Sequence, residues 1–530
     1  MCRRLRGLAG RPFWVKCRMG NLARRGLILV VMAALGICTS CRSSRHDKGT
    51  LVFLIDVSPT NLDPRIGIDP QSERIDGLMF DGLVVRDANY RVAPGLAERW
   101  EQPDPLTLIF HLRSNVHFHD GRLLTSRDVM WTINSVRNGS VITPKATSYA
   151  SVRSVEAPNP ETLILRLKEP DNFLLLNLAT GAMGIVPDGS GRDFWKHPIG
   201  SGPFRFVSQE VDKEVVIERN PASWEPDPGR GNIQRVRFAV VPDAITRALE
   251  LRKGSADIAS NTLLPDMLPI LAADKNLVVE STGGTQVQYL AFNTIDPILR
   301  NVRVRQAIAF AIDRELIIKT LLSGRARPAY SLLPQEHWAY SGDVPRYGYD
   351  PARARQLLDE AGYRPDGQGV RLHLTMKTST DDFTRLLAAT LQQQLGQVGI
   401  ALDIRSYESA TFIQDLSRGS FQIYGLRWVG GNEQPDIFTT LSTARIPPKG
   451  PNRSRYHNPA FDALLDDAAQ ATDQVRRKAD YALAQQILAR DLPAVNLWYP
   501  DSVIVHTRRL TDITISPSGN YGFLIKAKSD

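Results

Sequence analysis

Residues 289–322 read YLAFNTIDPILRNVRVRQAIAFAIDRELIIKTLL, and the apolar period changes in the middle of the stretch. Tyr289-Leu290-Ala291-Phe292 is a short run of strand formers that stops at Asn293-Thr294. A loop containing Pro297 follows. From Val302 onward, Val304, Ala307, Ile308, Ala311 and Ile312 recur at three- and four-residue steps, the buried stripe of an amphipathic helix. Arg303, Arg305, Asp313, Arg314 and Glu315 are left to face water or cap neighbours. A strand handed on to a helix in this way is the repeating unit of α/β lobes.

At 530 residues the chain is too long for one core, so two or three domains are expected. Its net charge of +9 points at first to nucleic acid, but the location of the charge removes that partner. Residues 1–40 hold eight basic residues and no acid; taking those eight from the total of 65 leaves 57 basic against 56 acidic residues in the body. All four cysteines (Cys2, Cys17, Cys38 and Cys41) also lie at the start, so the body has no disulfide or thiolate chemistry.

The start reads as a secretory leader over residues 1–40, with Met19 as an alternative first residue. Arg24-Arg25 precedes an apolar run, Gly26–Ile37, shorter than the roughly 20 residues a membrane span needs. Cys38-Thr39-Ser40-Cys41 follows. Small residues before a cysteine look like a bacterial lipobox, with Cys41 the better lipid-attachment site and Cys38 the other. Residues 41–49 are a polar tether.

Further distinctive blocks stand in order along the chain: Phe80-Asp81-Gly82-Leu83, Ala93-Pro94-Gly95-Leu96-Ala97-Glu98-Arg99-Trp100, Gly200-Ser201-Gly202-Pro203-Phe204, Arg219-Asn220-Pro221, Tyr349-Asp350-Pro351 running to Ala361-Gly362-Tyr363, and Tyr456-His457-Asn458-Pro459. With VRVRQAIAFAIDR they resemble, in order and over roughly residues 50–510, solute-binding protein family 5, the oligopeptide, dipeptide and nickel receptors of ABC importers. The resemblance implies a type II periplasmic binding fold: two α/β lobes and a hinge, with an extra α+β domain set into the first lobe. It places lobe one at 50–80, 198–290 and 499–530, the extra domain at 81–197 and lobe two at 291–498, with crossings near Leu290–Asn293 and Leu497–Tyr499. It further implies a monomer that captures a medium-sized solute (peptide-like, sugar-like or aromatic) by lobe closure. A membrane permease then reads the closed state. A sensor lipoprotein of the same fold and a surface-anchored hydrolase are the alternatives. No G-x-S-x-G, H-E-x-x-H, Walker lysine or body cysteine supports the hydrolase.

No cofactor or metal is expected. His117, His119 and Asp120 have the composition of a zinc site, but in the family this block is a turn between strand and helix. The expected ligand-binding residues are Ser58, Pro59, Tyr289, Arg427, Trp428, Val429, Gly430, Gly431, Glu433 and Tyr499. Peptide receptors of the family read W-x-x-D, with the aspartate facing the ligand's α-ammonium. Here Gly431 stands at that place, and Glu433 lies two residues on.

Overall fold

This computed structural model describes residues 49–530 apart from 88–90, 172, 180–182, 225–230, 429–434 and 472. The leader, with Cys38 and Cys41, lies outside the described residues. Among the described residues no helix is long and apolar enough to cross a membrane.

The opening stretch forms the strand Val287–Phe292, buried at every position. It is followed by the helix Val302–Ala311, capped by Asn301, and the helix Arg314–Leu321, capped by Asp313. Arg305 and Arg314, which the sequence allowed to face water or cap, are both buried. Arg305 donates to the carbonyls of Leu299, Arg300, Asp491 and Leu492. It thereby satisfies orphan acceptors at the C-terminus of the long helix Gln474–Asp491. Arg314 donates to the carbonyls of Tyr347 and Asn496, and burial lowers its pKa to about 10.

Two large sheets organise the molecule. The first has seven strands with Thr50–Ile55 central, parallel to both Arg235–Val240 and Ile258–Ser260. The second has six strands, in the order Ala326–Pro328, Ala494–Pro500, Val287–Phe292, Ile423–Trp428, Leu372–Ser379 and Ile400–Tyr407. A four-stranded sheet within residues 97–167 has its own core, over which the helix Ser126–Arg137 packs. That helix begins with the Thr125/Asp128 capping box.

The chain passes from the first sheet to the second between Thr282 and Val287, and returns between Pro500 and Ser502. Both crossings differ from the sequence expectation. Val287–Phe292 pairs along its length with Ile423–Trp428, so the whole strand belongs to the second sheet and the outward crossing precedes it. The return comes after Tyr499, because Tyr499 and Pro500 still pair with Arg327 and Ala326. The crossings touch each other through glycine: a Cβ on Gly284 would stand 2.1 Å from the Pro500 carbonyl oxygen, and one on Gly283 2.6 Å from the Arg327 guanidinium.

Candidate functional site

The pairing directions place the two crossings. Leu277–Thr282 is antiparallel to Ser502–Thr507, which is antiparallel to Ile258–Ser260, which is parallel to Thr50–Ile55. Leu277–Thr282 therefore leaves the first sheet at the carboxyl end of Thr50–Ile55. On arrival, Val287 pairs with Trp428 and Phe292 with Ile423, so the chain enters the second sheet at the carboxyl end of Ile423–Trp428. That strand is parallel to Leu372–Ser379. The carboxyl ends of the parallel strands of both sheets thus meet at the hinge, and such ends are where open α/β sheets take ligands.

On the first sheet, Asp56 and Val57 continue the central strand and are exposed; Val57 is 53% accessible. Asp56 accepts from Gln71 Nε2 at 2.8 Å, and Gln71 Oε1 accepts from the Tyr521 hydroxyl at 2.7 Å. Arg74, one turn along the helix Pro70–Met79, lies over the Tyr521 ring at 5.6 Å. Ser58 and Pro59 are buried. They are pinned to the neighbouring hairpin, Ser58 Oγ accepting from the Asp212 amide at 3.3 Å and the Pro59 carbonyl from Gln209 at 3.4 Å.

On the second sheet, Trp428 is half-buried and stacks on Tyr289, with ring centroids 5.7 Å apart and planes 17° from parallel. Tyr289 meets Tyr424 edge-on at 6.1 Å. Burial raises both phenol pKa values, so the pair stays neutral. Arg427 points to the opposite face of the strand from Trp428. Its side chain reaches water yet is crowded on its flanks, the situation of a group inside a cleft. Desolvation lowers its pKa, Asp381 opposes that, and Arg74 on the helix Pro70–Met79 of the other lobe adds to it. An arginine remains charged under these influences.

The structure thus brings Tyr289 and Trp428 together on one face of the strand, sets Arg427 on its other face, and puts Ser58 and Pro59 beyond the end of the first sheet's central strand. Tyr499 sits elsewhere than the cleft wall expected of it. It is fully buried in the core of the second lobe, and its hydroxyl donates to the carbonyls of Ser331 and Leu333 at 2.7 and 2.6 Å. Val429, Gly430, Gly431 and Glu433 lie outside the described residues. Sequence reasoning missed Asp56, Val57, Arg74 and Asp381. Asp56 and Val57 follow the first strand directly, a position that could have marked them; Arg74 carried no local signal.

His119 is held by protein at both ring nitrogens. Nδ1 accepts from the Gly200 amide at 3.2 Å and Nε2 donates to the Gly202 carbonyl at 3.0 Å. His117, at an exposed position, does not share that environment. Nearby, the half-buried Asp81 accepts from Ser201 and from the Trp224 indole, tying the inserted domain to the first lobe.

The model of the bacterial extracellular solute-binding proteins, family 5, matches residues 91–445. The chain belongs to this family. It is the extracytoplasmic solute-binding component of an ABC importer. Among curated family relatives, probable di/tripeptide-binding protein 5 of Pseudomonas aeruginosa is 30% identical, over 84% of this chain and 89% of its own length. Di/tripeptide-binding protein 1 of the same species is 27% identical, covering 93% of this chain and 97% of the relative. The solved structure of the periplasmic binding protein DppA from Helicobacter pylori, in complex with peptide STSA, superposes with a TM-score of 0.75 at 26% identity. It covers 91% of this chain and 98% of that one. The two-lobed family-5 architecture accounts for the two sheets, the double crossing and the inserted domain.

Proposed function

We propose that the importer's solute is bound between the two sheets at the hinge, beside the Trp428–Tyr289 stack, and that it is an oligopeptide-sized molecule not selected by a free α-amine. The stack carries the reading. It presents a flat aromatic surface at the carboxyl end of Ile423–Trp428, where the chain changes lobes. The relatives named for di- and tripeptides favour a peptide-like solute. Gly431 stands where the resembled peptide receptors carry the aspartate that faces an α-ammonium. Burying an ammonium without that counter-charge costs several kcal/mol. An N-blocked peptide, or a sugar or aromatic solute of similar size, avoids this cost. Bound solute favours the closed lobes by contacting both, and the permease recognises that state.

The test is a thermal-shift screen of free peptides, N-acetylated peptides and oligosaccharides. A solute at a hundredfold over its Kd stabilises the protein by about 2.7 kcal/mol. N-acetylated peptides or oligosaccharides are expected to shift the melt. Tight binding of free-amine peptides that acetylation abolishes overturns the Gly431 argument, and Glu433→Gln is then the variant to make. The same reading has the mature protein beginning at a lipid-bearing Cys41. Mass spectrometry of the native N-terminus checks this, and an unmodified terminus elsewhere refutes it.

A further inference from the structure

The cleft holds two arginines, Arg74 and Arg427, that pair with no carboxylate among the described residues. Arg427 makes no hydrogen bond or ion pair through its guanidinium among the described residues. Asp381, the acid beside it, caps its own helix by accepting from the Thr384 amide at 2.9 Å and the Thr384 hydroxyl at 2.8 Å. Across the hinge, Arg74 rests on the face of the Tyr521 ring. Asp56, the acid near that ring, accepts from Gln71. Arg247, the other cation close to Asp56, spends its donors on the carbonyls of Val241, Pro242 and Thr262.

Both arginines flank the crossings. A Cβ on Gly519 would have Arg74 Nη2 and Ser502 Oγ each at 3.6 Å, so the Arg74 guanidinium stands beside the residue where the chain re-enters the first sheet. Arg427 pairs through its backbone with Gln288, at the start of the strand where the chain enters the second sheet. The two cations belong to different lobes, each stands by a crossing, and the Arg74 charge is felt at Arg427. Each guanidinium is a planar fork suited to an oxyanion. Without an anion their repulsion opposes closure; with one between them, closure gains contacts that the open form lacks.

We propose that the solute carries an oxyanion, a carboxylate or a phosphate, which seats between Arg74 of one lobe and Arg427 of the other and draws the lobes together. This rests on the reading that the solute binds at the hinge. It adds a criterion that the Trp428–Tyr289 stack does not supply: charge at one end of the solute.

The experiment uses matched probes on the mature protein. N-acetylated tripeptides are compared as C-terminal acids and C-terminal amides, and oligosaccharides with and without a terminal phosphate. Calorimetry reads Kd, and small-angle scattering reads closure. The charged member of at least one pair is expected to bind roughly 10- to 100-fold tighter than its neutral twin, the range for hydrogen bonds to a charged group. The acid–amide pair and the phosphate pair distinguish the two sources of the oxyanion. Arg427→Gln and Arg74→Gln should each abolish most of that preference, and Arg427→Lys should keep part of it. Added salt should narrow the gap. Equal binding of charged and neutral twins, with Trp428→Ala weakening both, overturns the oxyanion and leaves the hinge site standing. A preference that survives in both glutamine variants also overturns it. If no probe of any pair binds or closes the protein, the hinge-site reading falls, and the oxyanion falls with it.

Discussion

Acidification should weaken the joint between the inserted domain and the first lobe through one imidazole. His119 is neutral in the fold: its Nδ1 takes a proton donor, the Gly200 amide, and its Nε2 donates to the Gly202 carbonyl. Protonation would set an N–H against an N–H inside a largely buried pocket. Burial is the main cause that lowers the pKa from 6.5 to about 4; the Gly202 hydrogen bond pulls the other way. A histidine with a depressed folded pKa contributes stability in full above its unfolded value, and that contribution is lost as pH falls toward the folded value. The window here is therefore from about 6.5 down to about 4, and a depression of this size corresponds to about 3 kcal/mol. His119→Asn is the control, because its side-chain oxygen can still accept from Gly200 while nothing there titrates. Urea unfolding of both proteins at several pH values across that window measures the difference. The wild-type protein should lose about 3 kcal/mol more than the variant between the two ends. Parallel stability curves would refute the assignment. Stoichiometric zinc in the purified protein, lost on His119→Ala, would refute it independently.

The hinge is expected to tolerate no Cβ at Gly284: Gly284→Ala, pressed against the Pro500 carbonyl, should destabilise by about 1–3 kcal/mol and shift the open–closed balance seen by small-angle scattering. Arg305→Met removes the donor for carbonyls at two element ends and should cost about 3 kcal/mol or more, read by chemical denaturation with no change in relative solute preference. Tyr499→Phe leaves the Ser331 and Leu333 carbonyls without its hydroxyl; a loss of about 1–3 kcal/mol is expected. A larger effect on affinity than on stability would mean that Tyr499 reaches the solute after all.

The features the sequence could decide are local in the chain. Asn301, Asp313, Thr125 with Asp128, and Pro351 mark helix starts of a kind sequence can show, because a cap and its amides lie within three residues. The strand at Val287–Phe292 and the helix after it follow from a change of period that needs no partner. The ordered blocks along the body carried the family, and with it the two lobes. Sheet membership was decided elsewhere. Val287–Phe292 joins the second sheet because Ile423–Trp428, far along the chain, supplies its hydrogen-bond partner, and that pairing moved the hinge several residues earlier. Tyr499 turned inward because carbonyls at Ser331 and Leu333 claim its hydroxyl, a claim no pattern around Tyr499 announces. Arg74 and Arg427 are the extreme case. Arg74 reads alone as a solvated charge on its own element, and Arg427, expected at the site, carries no local sign of the cation it faces. Only the fold, by carrying the ends of two sheets to one hinge, sets cation against cation with the nearby carboxylates already engaged, since Coulomb forces depend on distance through space and not along the chain.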